Sequence, residues 1–340
     1  MSITTTVKGY TPNGEQIISY LLERNGILVE ILNYGAVIRS VCVPDRNGRM
    51  KDIVLGFENL EDYFVNVPSF GAAIGRIVGP VPELRLQVGE EVVMLEPSNE
   101  EGAHIHGGKK GFTHTLWQGE AKESKDCAEV HLHYTSPDGE DGYPGVIRAG
   151  IHYSLDDKAN LKVVYTGESD RPTPFNPTNH SYFNLAGHNS GTIKDHIVQL
   201  RHTRVAVNGE SLPVRETPFD LTTPKRLGDA MDSGDPQMAG GYDNFHEIEG
   251  EGFREILYAT EPDSGRTLRI SSDANGAIFY TGNYLFDYPG KMGAIYGKNA
   301  GFACEPCFVN MRTPFNPSCV QLLTPEKPFR STTVYTFGNL

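Results

Sequence analysis

The stretch Asn176-Pro177-Thr178-Asn179-His180-Ser181-Tyr182-Phe183-Asn184-Leu185 sets a histidine among side chains that donate and accept hydrogen bonds. An imidazole titrates near neutral pH, where most side chains do not, so His180 is a candidate proton donor or acceptor. It can equally close a loop network of local hydrogen bonds. Far downstream, Glu305 stands in apolar sequence, with Phe302-Ala303-Cys304 before it and Cys307-Phe308-Val309 just after. Desolvation by such neighbours raises a carboxyl pKa and strengthens the group as a base. The alternative is a buried structural Glu305 paired with a cation such as Arg312. A histidine and a glutamate converging on one pocket would transfer protons without a cofactor.

Other residues could join them. His104 and His106 precede Gly107-Gly108, whose flexibility permits close backbone approach to a ligand. An H-x-H pair in a strand puts both rings on one face, yet no third ligand stands in register, so no metal is expected. Asp243, in Gly240-Gly241-Tyr242-Asp243-Asn244-Phe245, reads as a turn residue by its glycine neighbours or as a ligand-binding carboxylate. His131 and His133 fall on the polar face of an alternating segment and read as solvated. Cys304 and Cys307 form a lone C-x-x-C without a second ligand pair, and they read as buried thiols flanking Glu305.

The elements that must position these groups are strands. Leu84, Leu86 and Val88 alternate with polar residues, Gly89-Glu90 supplies a turn, and Val92 and Met94 follow as the return arm of a hairpin. Further strands are predicted at Ile27 to Leu32, Val130 to Tyr134, Ile147 to Leu155, Leu161 to Tyr165, Ile197 to Val207, Thr267 to Ser271, Ala277 to Gly282 and Val334 to Phe337. Helical turns are predicted only at Asn59 to Phe64 and Leu227 to Met231. The pattern predicts an all-β chain, a large antiparallel sandwich or barrel forming a single domain over 1–340. The candidate residues fall in or beside loops rich in Gly, Pro, Asp, Asn and His, including 99–114, 171–189 and 234–245, or in the 301–317 stretch.

Composition bounds the partners. A net charge of −13 argues against nucleic acid, which wants clustered Lys and Arg. No apolar run approaches the length needed to span a bilayer. Five cysteines cannot all pair within one chain, and no secretory apolar region opens the sequence, so a cytoplasmic setting is expected.

These segments resemble the aldose 1-epimerases, or galactose mutarotases, along nearly the whole chain. The likeness runs through Asp52-Ile53-Val54-Leu55-Gly56-Phe57, Phe70-Gly71-Ala72-Ala73-Ile74-Gly75-Arg76, His106-Gly107-Gly108 with Gly111-Phe112 and Trp117, Ser136 to Gly145, and Phe279-Tyr280-Thr281-Gly282-Asn283. Its most specific part is Asn179 to Leu185. The resemblance implies a galactose-mutarotase-like antiparallel β-supersandwich that interconverts the α and β anomers of a free hexose. It implies Glu305 as general base at the C1 hydroxyl and His180 as general acid at the ring oxygen. It also implies His106, Asp243 and Arg76 as substrate-binding residues. No cofactor or metal is implied; the partner is a sugar or lactol-like small molecule, and the protein a monomer or homodimer.

The chain departs from the pattern in one direction. The family pattern follows Gly-Arg after two residues with Asn-Arg, where Gly79-Pro80 stands here. Ile278 stands where some relatives carry Gln, Pro177 replaces a Leu, and Glu305-Pro306-Cys307 replaces Glu-Thr-Gln. Guanidinium and amide donors are lost, and proline has no N–H to offer. Three readings follow: an aldose 1-epimerase of altered sugar specificity, a divergent enzyme using the same acid–base pair on a less polar lactol or carbonyl substrate, and a non-catalytic sugar-binding protein. Retention of both Glu305 and His180 favours the enzymes.

Overall fold

The computed structural model describes residues 2–215, 217–311, 316 and 322–340. Arg312, the sequence alternative as partner of Glu305, lies outside these residues. The chain is built from strands, as the alternation predicts. The hairpin forms from Arg85–Val88 and Glu91–Met94. The predicted helical turns are a short 3-10 turn at Glu61–Phe64 and one helix at Leu227–Met231.

A nine-stranded sheet forms the backbone of the molecule. Its order runs Gln118–Glu123, Cys127–Ser136, Ile147–Asp156, Asn160–Ser169, Phe329–Asn339, Arg266–Ser272, Arg254–Thr260, Ile197–Leu200 and Lys225–Arg226. The C-terminal strand therefore sits mid-sheet, between strands from both halves of the chain. A five-stranded meander from Ser2–Tyr10 to Met50–Asp52 packs against it. One continuous core links the layers, from Tyr20 and Leu22 through Trp117, Leu132 and Tyr153 to Leu268 and Phe337. Alternation feeds this core: in Cys127–Ser136, Ala128, Val130 and Leu132 turn inward, where burying a large apolar side chain is worth about 1.5–3 kcal/mol.

A second five-stranded sheet carries the chemistry. It orders Glu210–Pro213, His202–Val207, Asp243–Ile248, Gly276–Tyr280 and Ala303–Cys307. The predicted strand from Ile197 to Val207 divides here. At Arg201 the backbone N–H donates to Ile256 O, so the first half stays in the large sheet while the second half joins this one. The residue at the break changes layers, which a hydropathy pattern cannot register.

Candidate active site

Register sets the floor of the site. Phe245 lies opposite Ile278, and Ile278 opposite Glu305, so the three stand side by side across adjacent strands. Two residues along, Asp243 lies opposite Tyr280. Side chains two apart in a strand share a face. Asp243, Phe245, Ile278, Tyr280 and Glu305 thus look into one cavity of about 640 Å³, while Ala277, Phe279 and Cys304 turn into the main core. Asp243 is therefore a strand residue, the first of Asp243–Ile248, and not the turn residue its glycines suggest.

The opposite wall is backbone-clamped. Thr178–Asn179 pairs with Ala73–Ile74, and His180 N–H donates to Ala72 O at 2.9 Å while His180 O accepts from Gly71 N–H. Asn179 braces the same turn: its Nδ2 donates to Gly71 O and its Oδ1 accepts from Ser181 N–H. The polar company of His180 thus fixes its position, and its ring stays available. That ring stacks on Tyr182 at 4.8 Å and meets His106 edge-on at 5.3 Å.

His180 Nε2 lies 3.5 Å from Glu305 Oε1. Both side chains are buried, and neither His180 Nδ1 nor Glu305 Oε2 has a hydrogen-bond partner among the described residues. Burial drives the two pKa values in opposite senses. The Glu305 carboxyl is pushed well above its usual range by desolvation, aided by the negative charge of Asp243. His180 is pushed well below its usual value by desolvation, aided by His106. Asp243 keeps solvent contact at the cavity mouth, yet desolvation by the walls still raises its carboxyl to about 6.

His106 is held with positive φ at 55°, which turns its ring away from that of His104. Its Nδ1 accepts from Gly79 N–H at 3.3 Å. Burial lowers its pKa to about 4, so the ring is neutral and its proton sits on Nε2 as a donor. His104 has both nitrogens occupied, by Glu96 O and Tyr143 Oη. The H-x-H pair therefore splits into a cavity residue and a structural one.

The structure does not bring Arg76 into the cavity. Its guanidinium is 2% exposed and donates to Ser136 Oγ, Pro137 O, Pro144 O and Thr173 Oγ1. It anchors the Ser136 to Gly145 loop, correcting its expected role as a substrate ligand; Gly75-Arg76 marks the segment without contributing its donor to the site. Cys304 and Cys307 lie three apart on one strand and so face opposite sides, Cys304 into the main core and Cys307 beside Ile278. Burial raises both thiols, each with some further push from Glu305. Cavity residues passed over in the sequence are Phe245, Tyr280, Tyr284 and Tyr182. Tyr182 could have been found by its spacing of two from His180; the others become neighbours only through strand pairing. A second depression of about 720 Å³ on the nine-stranded sheet, bordered by Arg148, Glu168 and Arg330, holds none of these groups.

Comparison with known proteins gives a consistent result. The sequence model of the Aldose 1-epimerase family matches residues 19–336. Galactose mutarotase of Mus musculus is 35% identical over 351 aligned positions, covering 99% of each chain. Aldose 1-epimerase of Escherichia coli K12 is 29% identical, covering 96% of each. The crystal structure of galactose 1-epimerase from Lactobacillus acidophilus superposes with a TM-score of 0.85 at 27% identity, covering 99% of both chains.

Proposed function

The chain belongs to the aldose 1-epimerase family, and from that premise we propose that it opens and recloses a cyclic hemiacetal with Glu305 and His180 as the acid–base pair, interconverting the α and β anomers of an aldose. The observation that carries this reading is the 3.5 Å approach of two buried groups with opposed pKa shifts. Ring opening must take a proton from the C1 hydroxyl and deliver one to the ring oxygen as the C1–O5 bond breaks. Both oxygens hang from one carbon, so donor and acceptor must be close neighbours. After rotation about C1–C2 the aldehyde recloses with the roles reversed.

Proton counting supports the pairing. Desolvation disfavours both charged forms, so the resting pair is Glu305 carboxylic acid with neutral His180, holding one proton between them. The state that opens the ring, carboxylate with imidazolium, holds the same single proton. Opening ends with the acid on Glu305 and His180 neutral, which is what closing requires. The pair returns to its starting charge each turnover, and no redox change occurs. His106 through Nε2–H and Asp243 through its carboxylate supply a donor and an acceptor for sugar hydroxyls.

The test is α/β exchange of glucose and galactose followed by NMR. Glu305→Gln and His180→Asn should each lower kcat by about 10²- to 10⁴-fold, and the double variant should fall little further, because the two act as one unit. The pH profile should be a bell, losing activity in acid when the pair gains a second proton and in alkali when it loses its only one. Undiminished exchange in either single variant would remove that residue from the mechanism.

A further inference from the structure

The walls around Glu305 differ sharply in chemistry. Asp243 and His106 supply an acceptor and a donor. The residues flanking Glu305 in register, by contrast, are hydrocarbon: Ile278 directly beside it, then Phe245. Phe245 reaches across to the neighbouring segment, where its Cζ would lie 2.6 Å from a Cβ added at Gly79. The ring tip thus fills the space a side chain at 79 would use. The wall continues with Pro80, which has no N–H, paired to Ile105. Behind it Ile74, Val78, Ile278 and Cys307 form a separate apolar cluster against Phe245. Val67, 70% exposed, adds a further hydrocarbon group to the cavity lining.

A pyranose bears a hydroxyl on nearly every ring carbon. Any hydroxyl laid against Ile278 and Phe245 would give up water without gaining a partner, at a cost of about ten- to hundredfold in kcat/KM. A hydrocarbon group there gains from the same burial. Resting on the acid–base reading above, we propose that this site prefers a cyclic hemiacetal whose flank beside Glu305 is hydrocarbon, a deoxy-aldose or alkyl- or aryl-substituted lactol. Hydroxyls are retained where Asp243 and His106 can reach them.

The experiment measures kcat/KM for anomer exchange by NMR with galactose, its 2-, 3-, 4- and 6-deoxy counterparts, and a phenyl-substituted 2-hydroxytetrahydropyran. The expected result is that at least one hydrocarbon-flanked probe exceeds galactose by about tenfold or more. Ile278→Gln, and independently Phe245→Asn, should shift that ratio back toward galactose by about the same factor, with circular dichroism verifying the fold of each. If galactose outruns every other probe and both variants leave the ratios unmoved, the preference is overturned. Glu305→Gln separates the two readings. Loss of exchange on all probes in Glu305→Gln, with galactose preferred by the unaltered protein, sinks only the hydrocarbon flank. Exchange undiminished in Glu305→Gln, or no acceleration of any probe by the unaltered protein, sinks the acid–base reading and the preference with it.

Discussion

Gly79 adopts φ of 82°, a conformation that costs a residue with a Cβ about 1–2 kcal/mol, and Phe245 already occupies the direction in which that Cβ would point. Gly79→Ala should therefore destabilise by the backbone term plus an overpacking term of about 1–3 kcal/mol. Only the second involves Phe245. Phe245→Ala in the same chain should return roughly 1 kcal/mol of it, a coupling that a double-mutant cycle in urea would read directly. Strict additivity would mean that the ring is not pressed against residue 79. The candidate groups of this cavity are legible in sequence, because a histidine among hydrogen-bonding side chains and a glutamate among apolar ones stand out by their company. The pressure of Phe245 on Gly79 is not, since nothing local couples residues so far apart in the chain.

At the scale of elements, strand register turns separate residues into a site. Ile27–Leu32, Ile147–Asp156 and Arg266–Ser272 begin and end within one residue of the strands read from sequence. Hydropathy gives the period of a strand and not its partner, so the row Phe245–Ile278–Glu305 could not be foreseen. Arg76 is the instructive case: its sequence neighbourhood points to the site, while its donors are consumed by the loop that begins at Ser136. Arg76→Met would leave the Pro137 and Pro144 carbonyls and Ser136 Oγ short of a buried donor. It should cost about 3 kcal/mol of stability, from groups that each cost roughly 1–3 kcal/mol when left unpaired. The denaturation midpoint should fall while KM at low temperature changes less than about twofold. An unchanged midpoint with a KM raised about tenfold would instead restore Arg76 as a substrate ligand.

For the whole molecule, buried histidines set the acid limit of the fold. His196 Nε2 accepts from Leu185 N–H at 2.9 Å, and His202 Nε2 accepts from Leu221 N–H at 3.1 Å. The second ring then carries its proton on Nδ1, donating to His246 Nδ1 at 2.8 Å. A further proton on either Nε2 would break a buried hydrogen bond and bury a charge, and burial lowers both rings to about 4. The unfolded chain binds protons first, near the ordinary histidine value of 6.5. The contribution is therefore complete above that value and lost as pH falls toward 4; at about pH 5 each histidine has forfeited roughly 2 kcal/mol. Glu30, an ion-paired carboxylate, acts later. Burial of Glu30 opposes its charge but is outweighed by Ser19 and Arg39, which hold its carboxyl at about 2. Its stabilisation is intact above the ordinary value of 4.5 and disappears only as pH falls through that lower range. Thermal denaturation should thus show a melting temperature that begins to fall just below neutrality, well before Glu30 titrates. His196→Gln and His202→Gln, which can keep an acceptor for the two amides, should each flatten that slope. A melting temperature level from about pH 7 to about pH 5 would mean that these imidazoles find room for a second proton in the native fold.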